Sequence, residues 1–154
     1  MQHVDMKSEN LYNIVWMSRP MMQAAEMTVE QGLTGTGLTV RMRAVLEILN
    51  AHGDLTVPDI AARLEIQRQY VQVMVNETLA SGFTEQRPNP RHKRSPLLAL
   101  TPNGRALIER VVAQEIHMMA EISEDFDEAE VATALRVVRA ATAKRKERLA
   151  EPGK

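Results

Sequence analysis

Apolar residues recur at three- and four-residue steps from Ser8 to about Glu30, through Leu11, Ile14, Val15, Met21 or Met22, Ala25 and Val29, the period of an amphipathic helix. Pro20 falls inside it and predicts a kink there, or an end to the first part near Arg19, because the ring removes a hydrogen bond and crowds the preceding turn. From Gln31 to Thr39 three glycines break any period and mark a loop. That loop has neither the preceding strand nor the spacing of a phosphate cradle. Thr39 then caps a second helix with Val40, Ala44, Val45, Ile48 and Leu49 as its apolar stripe, and Gly53 follows its end.

A helix of about two turns comes next. Thr56 is its N-cap, Asp59 stands three residues on as in a capping box, and Pro58 lies in the first turn, where a missing N–H does no harm. After Glu65 and Ile66 a further helix runs from about Gln67 to Ala80, with Val71, Met74, Val75 and Thr78 inward and Gly82 placed to end it in a left-handed conformation. Phe83 to Arg87 and Pro96 to Leu100 read as a two-stranded hairpin whose tip starts at Pro88, Asn89 and Pro90. Thr101 and Pro102 open a long helix with Leu107, Ile108, Val111, Val112, Ile116 and Met119 apolar. A last helix begins near Asp127, with Asp127 and Glu130 as a box and Phe126 stapled onto Val131, and carries Val131, Leu135, Val138 and Leu149. The predicted fold is mainly α with a small β-hairpin.

Charge turns this generic helical pattern into a polarised one. The chain holds 19 Lys+Arg against 20 Asp+Glu, a formal net charge of -1, which on its own argues against a polyanionic partner. Along the chain the balance is uneven. Residues 1–58 hold four basic and six acidic side chains, residues 59–105 seven against four, and residues 106–154 eight against ten, so the sums are -2, +3 and -2. Within the middle third, Gln86 to Ser95 carries four positive charges and no negative one.

Two short helices joined by a tight turn, with a basic hairpin directly after them, form a winged helix-turn-helix. Ala61 is small where the helices cross, and Ile60, Leu64, Ile66 and Val71 fill the space between them. On the second helix Arg68, Gln69, Gln72, Val73 and Asn76 share the side opposite its apolar residues. Arg pairs with guanine O6 and N7, and Gln or Asn with adenine N6 and N7, so this face has the chemistry of a major-groove reader. Gln67 and Tyr70, near the start of that helix, are placed for phosphates, and Arg87, Arg91, His92, Lys93 and Arg94 form the wing's contact set.

From Leu38 to Ile108 the chain resembles the MarR family of bacterial transcription regulators. The resemblance runs through Leu55-Thr56, Ile60-Ala61 and Leu64, then Gln67 to Gln72 with Val75-Asn76, then Ser81-Gly82-Phe83, the wing Arg87 to Ser95, and Leu100 to Leu107. It implies a winged-helix homodimer whose N- and C-terminal helices form the interface, with recognition helices about 34 Å apart in successive major grooves of a pseudo-palindromic operator. The implied boundaries are 1–36 for an N-terminal dimerisation helix and loop, 37–105 for the DNA-binding domain and 106–154 for C-terminal dimerisation helices. Three positions depart from the family pattern. Glu65 stands at a turn position that is often glycine, His92 and Lys93 replace an Asp-Arg pair at the wing tip, and the recognition helix begins with Gln67 rather than Ser.

Other chemistries find little support. With no cysteine, disulfides, Cys-ligated zinc, a cysteine nucleophile and a thiol sensor are excluded. His3, His52, His92 and His117 are scattered, the carboxylates between Glu121 and Glu130 do not follow a calcium-loop spacing, and no serine sits in a nucleophile elbow, so neither metal, cofactor nor enzymatic activity is expected. The start Met1-Gln2-His3-Val4-Asp5 lacks a signal-peptide pattern and no uncharged run approaches the ~18 residues of a membrane span, so the expected location is the cytoplasm. Met17, Met21, Met22 and Met42 cluster near the first two helices. There Tyr12, Trp16, Arg19, Met22 and Met42 are the candidate walls of a pocket for a small aromatic or phenolic effector. The expectation is a homodimeric repressor acting on double-stranded DNA and released by such an effector. The alternative is a winged-helix protein-interaction module without specific DNA binding.

Overall fold

The computed structural model describes residues 5–150 and Gly153. Met1 to Val4, and with them His3 and most of the N-terminal stretch read for a leader, lie outside the described residues. The order is α1 (Met6–Leu33), α2 (Val40–His52), α3 (Val57–Leu64), α4 (Arg68–Ala80), β1 (Thr84–Arg87), β2 (Leu97–Leu100), α5 (Pro102–Ser123) and α6 (Glu128–Ala150). This is the mainly helical, single-hairpin architecture that the period and turn residues predict.

The chain forms two compact units, one joining Met1–Ala25 to Met118–Lys154, the other Glu26–His117. The second holds the core. Val45, Leu46, Ile60, Val71 and Ile108 are fully enclosed, ringed by Met42, Leu49, Met74, Val75, Phe83, Leu98, Leu100 and Leu107. Burying each such aliphatic side chain contributes on the order of 1.5–3 kcal/mol.

Local chemistry sets the ends of its elements. Thr39 Oγ1 accepts from the Met42 N–H at 3.2 Å and caps α2. Thr56 and Asp59 exchange side-chain and backbone bonds in a complete capping box at α3. Thr101 caps α5 by accepting from the Gly104 N–H at 3.0 Å, while its hydroxyl donates to the Gly82 carbonyl at 2.7 Å.

The stripe expected on α2 is off by a fraction of a turn. Met42, Val45, Leu46 and Leu49 are buried, whereas Val40 is exposed and Ala44 and Ile48 are only half-buried. The reason is that α2 is covered by α3, α4 and β2 together, so the buried arc is wider than one period suggests. Arg43 is drawn into this arc as well, ion-paired to Glu115 of α5 and, at 3.3 Å, to Glu47. The hairpin pairs Thr84 with Leu100 and Arg87 with Leu97. A third strand, one residue long, is new: Leu55 and Leu98 exchange both backbone bonds, at 3.2 and 2.7 Å, so β2 is held on both edges.

The first unit is built differently. α1 starts at Met6, two residues before the predicted Ser8, because Asp5 Oδ1 accepts the Ser8 N–H at 2.7 Å. That bond holds the Asp5 carboxyl below its ordinary pKa. The helix does not end near Arg19. It continues through Pro20 to Leu33, leaving the Trp16 carbonyl without the N–H that a proline cannot supply. In α6 the Asp127 N–H donates to Glu130 Oε2 at 3.3 Å, but Phe126 and Val131, expected to staple, are each about half exposed. No described residue of this unit is buried, and Met17, Met21, Leu135, Val138 and Leu149 lie open. The described residues include no helix long and apolar enough to cross a membrane.

Candidate nucleic-acid interface

The turn between α3 and α4 is closed by the Ile66 N–H on the Ala61 carbonyl at 3.2 Å and the Glu65 N–H on the Ala62 carbonyl at 3.4 Å. That pairing is a Schellman motif, and it forces Glu65 into the left-handed region at φ 56°. The departure from glycine is therefore met by strain rather than by a new turn geometry. Gln67 follows in extended conformation and gives no side-chain cap, its carbonyl accepting from Tyr70 and Val71 at 3.1 Å. The far end of α4 repeats the same device. Phe83 donates to the Thr78 carbonyl at 3.0 Å and Gly82 to Leu79 at 3.1 Å, with Gly82 at φ 74°.

Between these two turns α4 is divided as its spacing predicts. Val71, Met74, Val75 and Thr78 are buried, while Gln67, Arg68, Gln69, Tyr70, Gln72, Val73 and Asn76 are all exposed. Arg41 of α2 pairs with Glu77 at 2.7 Å, and the buried hydroxyls of Thr78 and Thr84 meet at 2.8 Å, fixing α4 against α2 and β1. Among the exposed side chains, Gln72 Nε2 donates to Asn76 Oδ1 at 2.9 Å.

The wing stands beside this face. A groove of about 350 Å³ runs between α4 and the wing root, lined by Arg68, Gln69, Gln72, Gln86 and Arg94 among others. Arg87, Arg91, His92, Lys93 and Arg94 are exposed, as expected of contact residues, but Arg87 has partners of its own. Its guanidinium lies 2.9 Å from Glu85 and 3.3 Å from Asp54, and the bond to Glu85, helped by the Asp54 charge, raises its pKa further above the ordinary arginine value. Arg91, Lys93 and Arg94 form no ion pair among the described residues, so the wing's uncompensated charge sits at its tip. Asn89, which sequence reasoning used only to mark the turn, organises that tip. Its Nδ2 donates to the Ser95 carbonyl at 2.9 Å and its Oδ1 accepts the Arg91 N–H at 3.1 Å. The Pro-Asn-Pro setting was the available signal, since an Asn after proline readily bonds the backbone two residues on.

The candidate effector residues are divided between the units. Tyr12, Trp16, Arg19 and Met22 are exposed on α1, with the Tyr12 and Trp16 ring centroids 6.1 Å apart, whereas Met42 is buried in the core of the second unit. The described residues contain no group of three or more His, Asp or Glu arranged to hold a metal ion.

Comparison with known proteins places this geometry among regulators. A family model described as the MarR family matches residues 36–95. The crystal structure of a MarR family transcription regulator is 35% identical, covers 96% of this chain and 97% of that one, and superposes with a TM-score of 0.83. The structure of a mutant Escherichia coli MarR complexed with operator DNA, 22% identical over 90% of this chain and 99% of that one, shares the fold with a TM-score of 0.73. An uncharacterized protein of Mycobacterium tuberculosis is 40% identical over 75 residues, 49% of this chain and 52% of that protein, so the chain spans about half the length of that curated relative.

Proposed function

Because the chain belongs to the MarR family of transcription regulators, we propose that it binds duplex DNA sequence-specifically, with α4 in the major groove and the wing on the adjacent backbone. The observation that carries this reading is the division of α4, whose outward side presents Arg68, Gln69, Gln72 and Asn76 beside a wing tip carrying Arg91, Lys93 and Arg94. Gln67, Tyr70 and His92 take the flanking phosphate positions, and Arg87, balanced by Glu85 and Asp54, serves the wing stem more than the DNA.

The acting species in this reading is a homodimer on a two-fold operator. What supports it is the first unit, which has no buried side chain among its described residues and exposes an apolar groove of about 770 Å³ between α1 and α6, bordered by Ile14, Met17, Met21, Val138 and Leu149. An apolar surface of that kind requires a partner, and a second copy supplies an identical one. The dimer acts as a repressor that a small aromatic or phenolic molecule releases. The exposed Tyr12 and Trp16 rings with Arg19 on the same helix support that part of the reading.

Titration of the DNA flanking its own gene at several salt concentrations tests the proposal. The expected result is binding to one fragment well above random duplex, with affinity falling steeply as salt rises. Negligible affinity for any duplex would favour instead a wing that docks on a partner protein.

A further inference from the structure

The bond between Gln72 Nε2 and Asn76 Oδ1, 2.9 Å long, joins two exposed side chains one helical turn apart. It rescues no buried group, so its effect is to orient both amides. Each amide brings two N–H donors and a carbonyl oxygen with two lone pairs. The internal bond consumes one donor of Gln72 and one acceptor position of Asn76. What faces outward is the Gln72 carbonyl beside the remaining N–H groups of the pair: an acceptor and a donor held next to each other before any ligand arrives. Next to Gln72 stands Val73, 49% exposed, an aliphatic side chain among guanidinium and amide groups that the helix does not bury.

The edges of the four bases answer differently to such a unit. Adenine offers acceptor N7 next to donor N6, guanine two acceptors, cytosine a donor, and thymine an acceptor with a methyl group. A fixed donor–acceptor pair meets only adenine with two bonds. Guanine calls for two parallel donors, which Arg68, one turn earlier on the same ridge, provides. The methyl groups of Val73 match the thymine C5-methyl on the partner strand.

We propose that Gln72, Asn76 and Val73 act as one reading unit for an adenine–thymine base pair in each half-site, the amides on adenine and Val73 on the thymine methyl. This rests on the DNA-binding reading above and names the base pair selected. The test is selection from a random duplex pool by the full chain, in parallel with Gln72→Ala, Asn76→Ala and the double variant, with folding followed by thermal unfolding. The wild-type chain enriches an A·T pair at one position per half-site by roughly ten- to hundredfold. Either single variant reduces that preference to a few-fold, the double variant goes no further, and other positions keep theirs. Replacing that thymine by deoxyuridine weakens the wild-type chain but leaves Val73→Ala unchanged. Undiminished adenine preference in both single variants, or a G·C pair at the position they relax, overturns the unit while leaving DNA binding intact. A wild-type chain that enriches no sequence overturns the DNA-binding reading and this inference with it.

Discussion

Gly104 faces the backbone of Phe83 so closely that a methyl group on its Cα would stand 1.9 Å from the Phe83 carbonyl oxygen. That oxygen is not free to retreat, since it accepts the Thr101 N–H at 3.1 Å where β2 passes into α5. Gly104→Ala therefore has to part α5 from the start of the wing. Overpacking against backbone costs on the order of 1–3 kcal/mol or more, so urea unfolding of this variant is expected to show at least that loss. Unchanged stability would mean that the close approach is not kept in solution.

The left-handed turn at Glu65 gives a second prediction. A non-glycine residue there costs roughly 1–2 kcal/mol, part of which glycine returns in the entropy of the unfolded chain. Glu65→Gly is expected to raise stability by about 0.5–1 kcal/mol, and Glu65→Ile, β-branched at the same φ, to lower it. A reversed order in paired denaturation curves would contradict the Schellman geometry.

At the wing, charge and shape separate. Removing Arg91, Lys93 or Arg94 should weaken binding to every duplex and lessen the slope of log affinity against log salt by about one each. Asn89→Ala removes no charge but frees the tip from Ser95 and Arg91. Its expected effect is weaker binding with the slope nearly unchanged, readable from the same salt titrations.

The open apolar face of the first unit predicts its own assembly. Met21→Asp combined with Val138→Asp places charges in the groove between α1 and α6. Sedimentation should then show a monomer where the wild-type chain is a dimer, and operator affinity should fall because the two half-sites are no longer engaged together. A dimer that survives both charges would require another interface.

Much of this molecule is legible in its sequence because it is set locally. Thr56 with Asp59, Thr39 before α2 and Gly82 after α4 fix helix ends through neighbours three or four residues away, and the inward set of α4 follows from period alone. The parts that were not legible depend on distant partners. Nothing near Leu55 announces a bridge to Leu98, 43 positions on, nor does Arg87 reveal that Asp54 lies against it. The buried arc of α2 widens because three other elements cover it, and Gly104, lying within a helix start, shows its necessity only once Phe83 is packed there. The Gln72–Asn76 bond lies between these cases: its i, i+4 spacing is visible, but the choice of each amide for the other over solvent is not.

The single bridge between Leu55 and Leu98 changes the mechanics of the wing. A hairpin tied along one edge would hinge at its base, whereas β2, gripped by β1 on one edge and by Leu55 on the other, is clamped like the fixed end of a cantilever. Leu55 lies two residues before α3, so the clamp joins the wing to the same short stretch that launches the helix-turn-helix. Any displacement of that stretch carries wing and helix-turn-helix together, and the gap between wing tip and α4 behaves as a fixed gauge while the body that holds it moves.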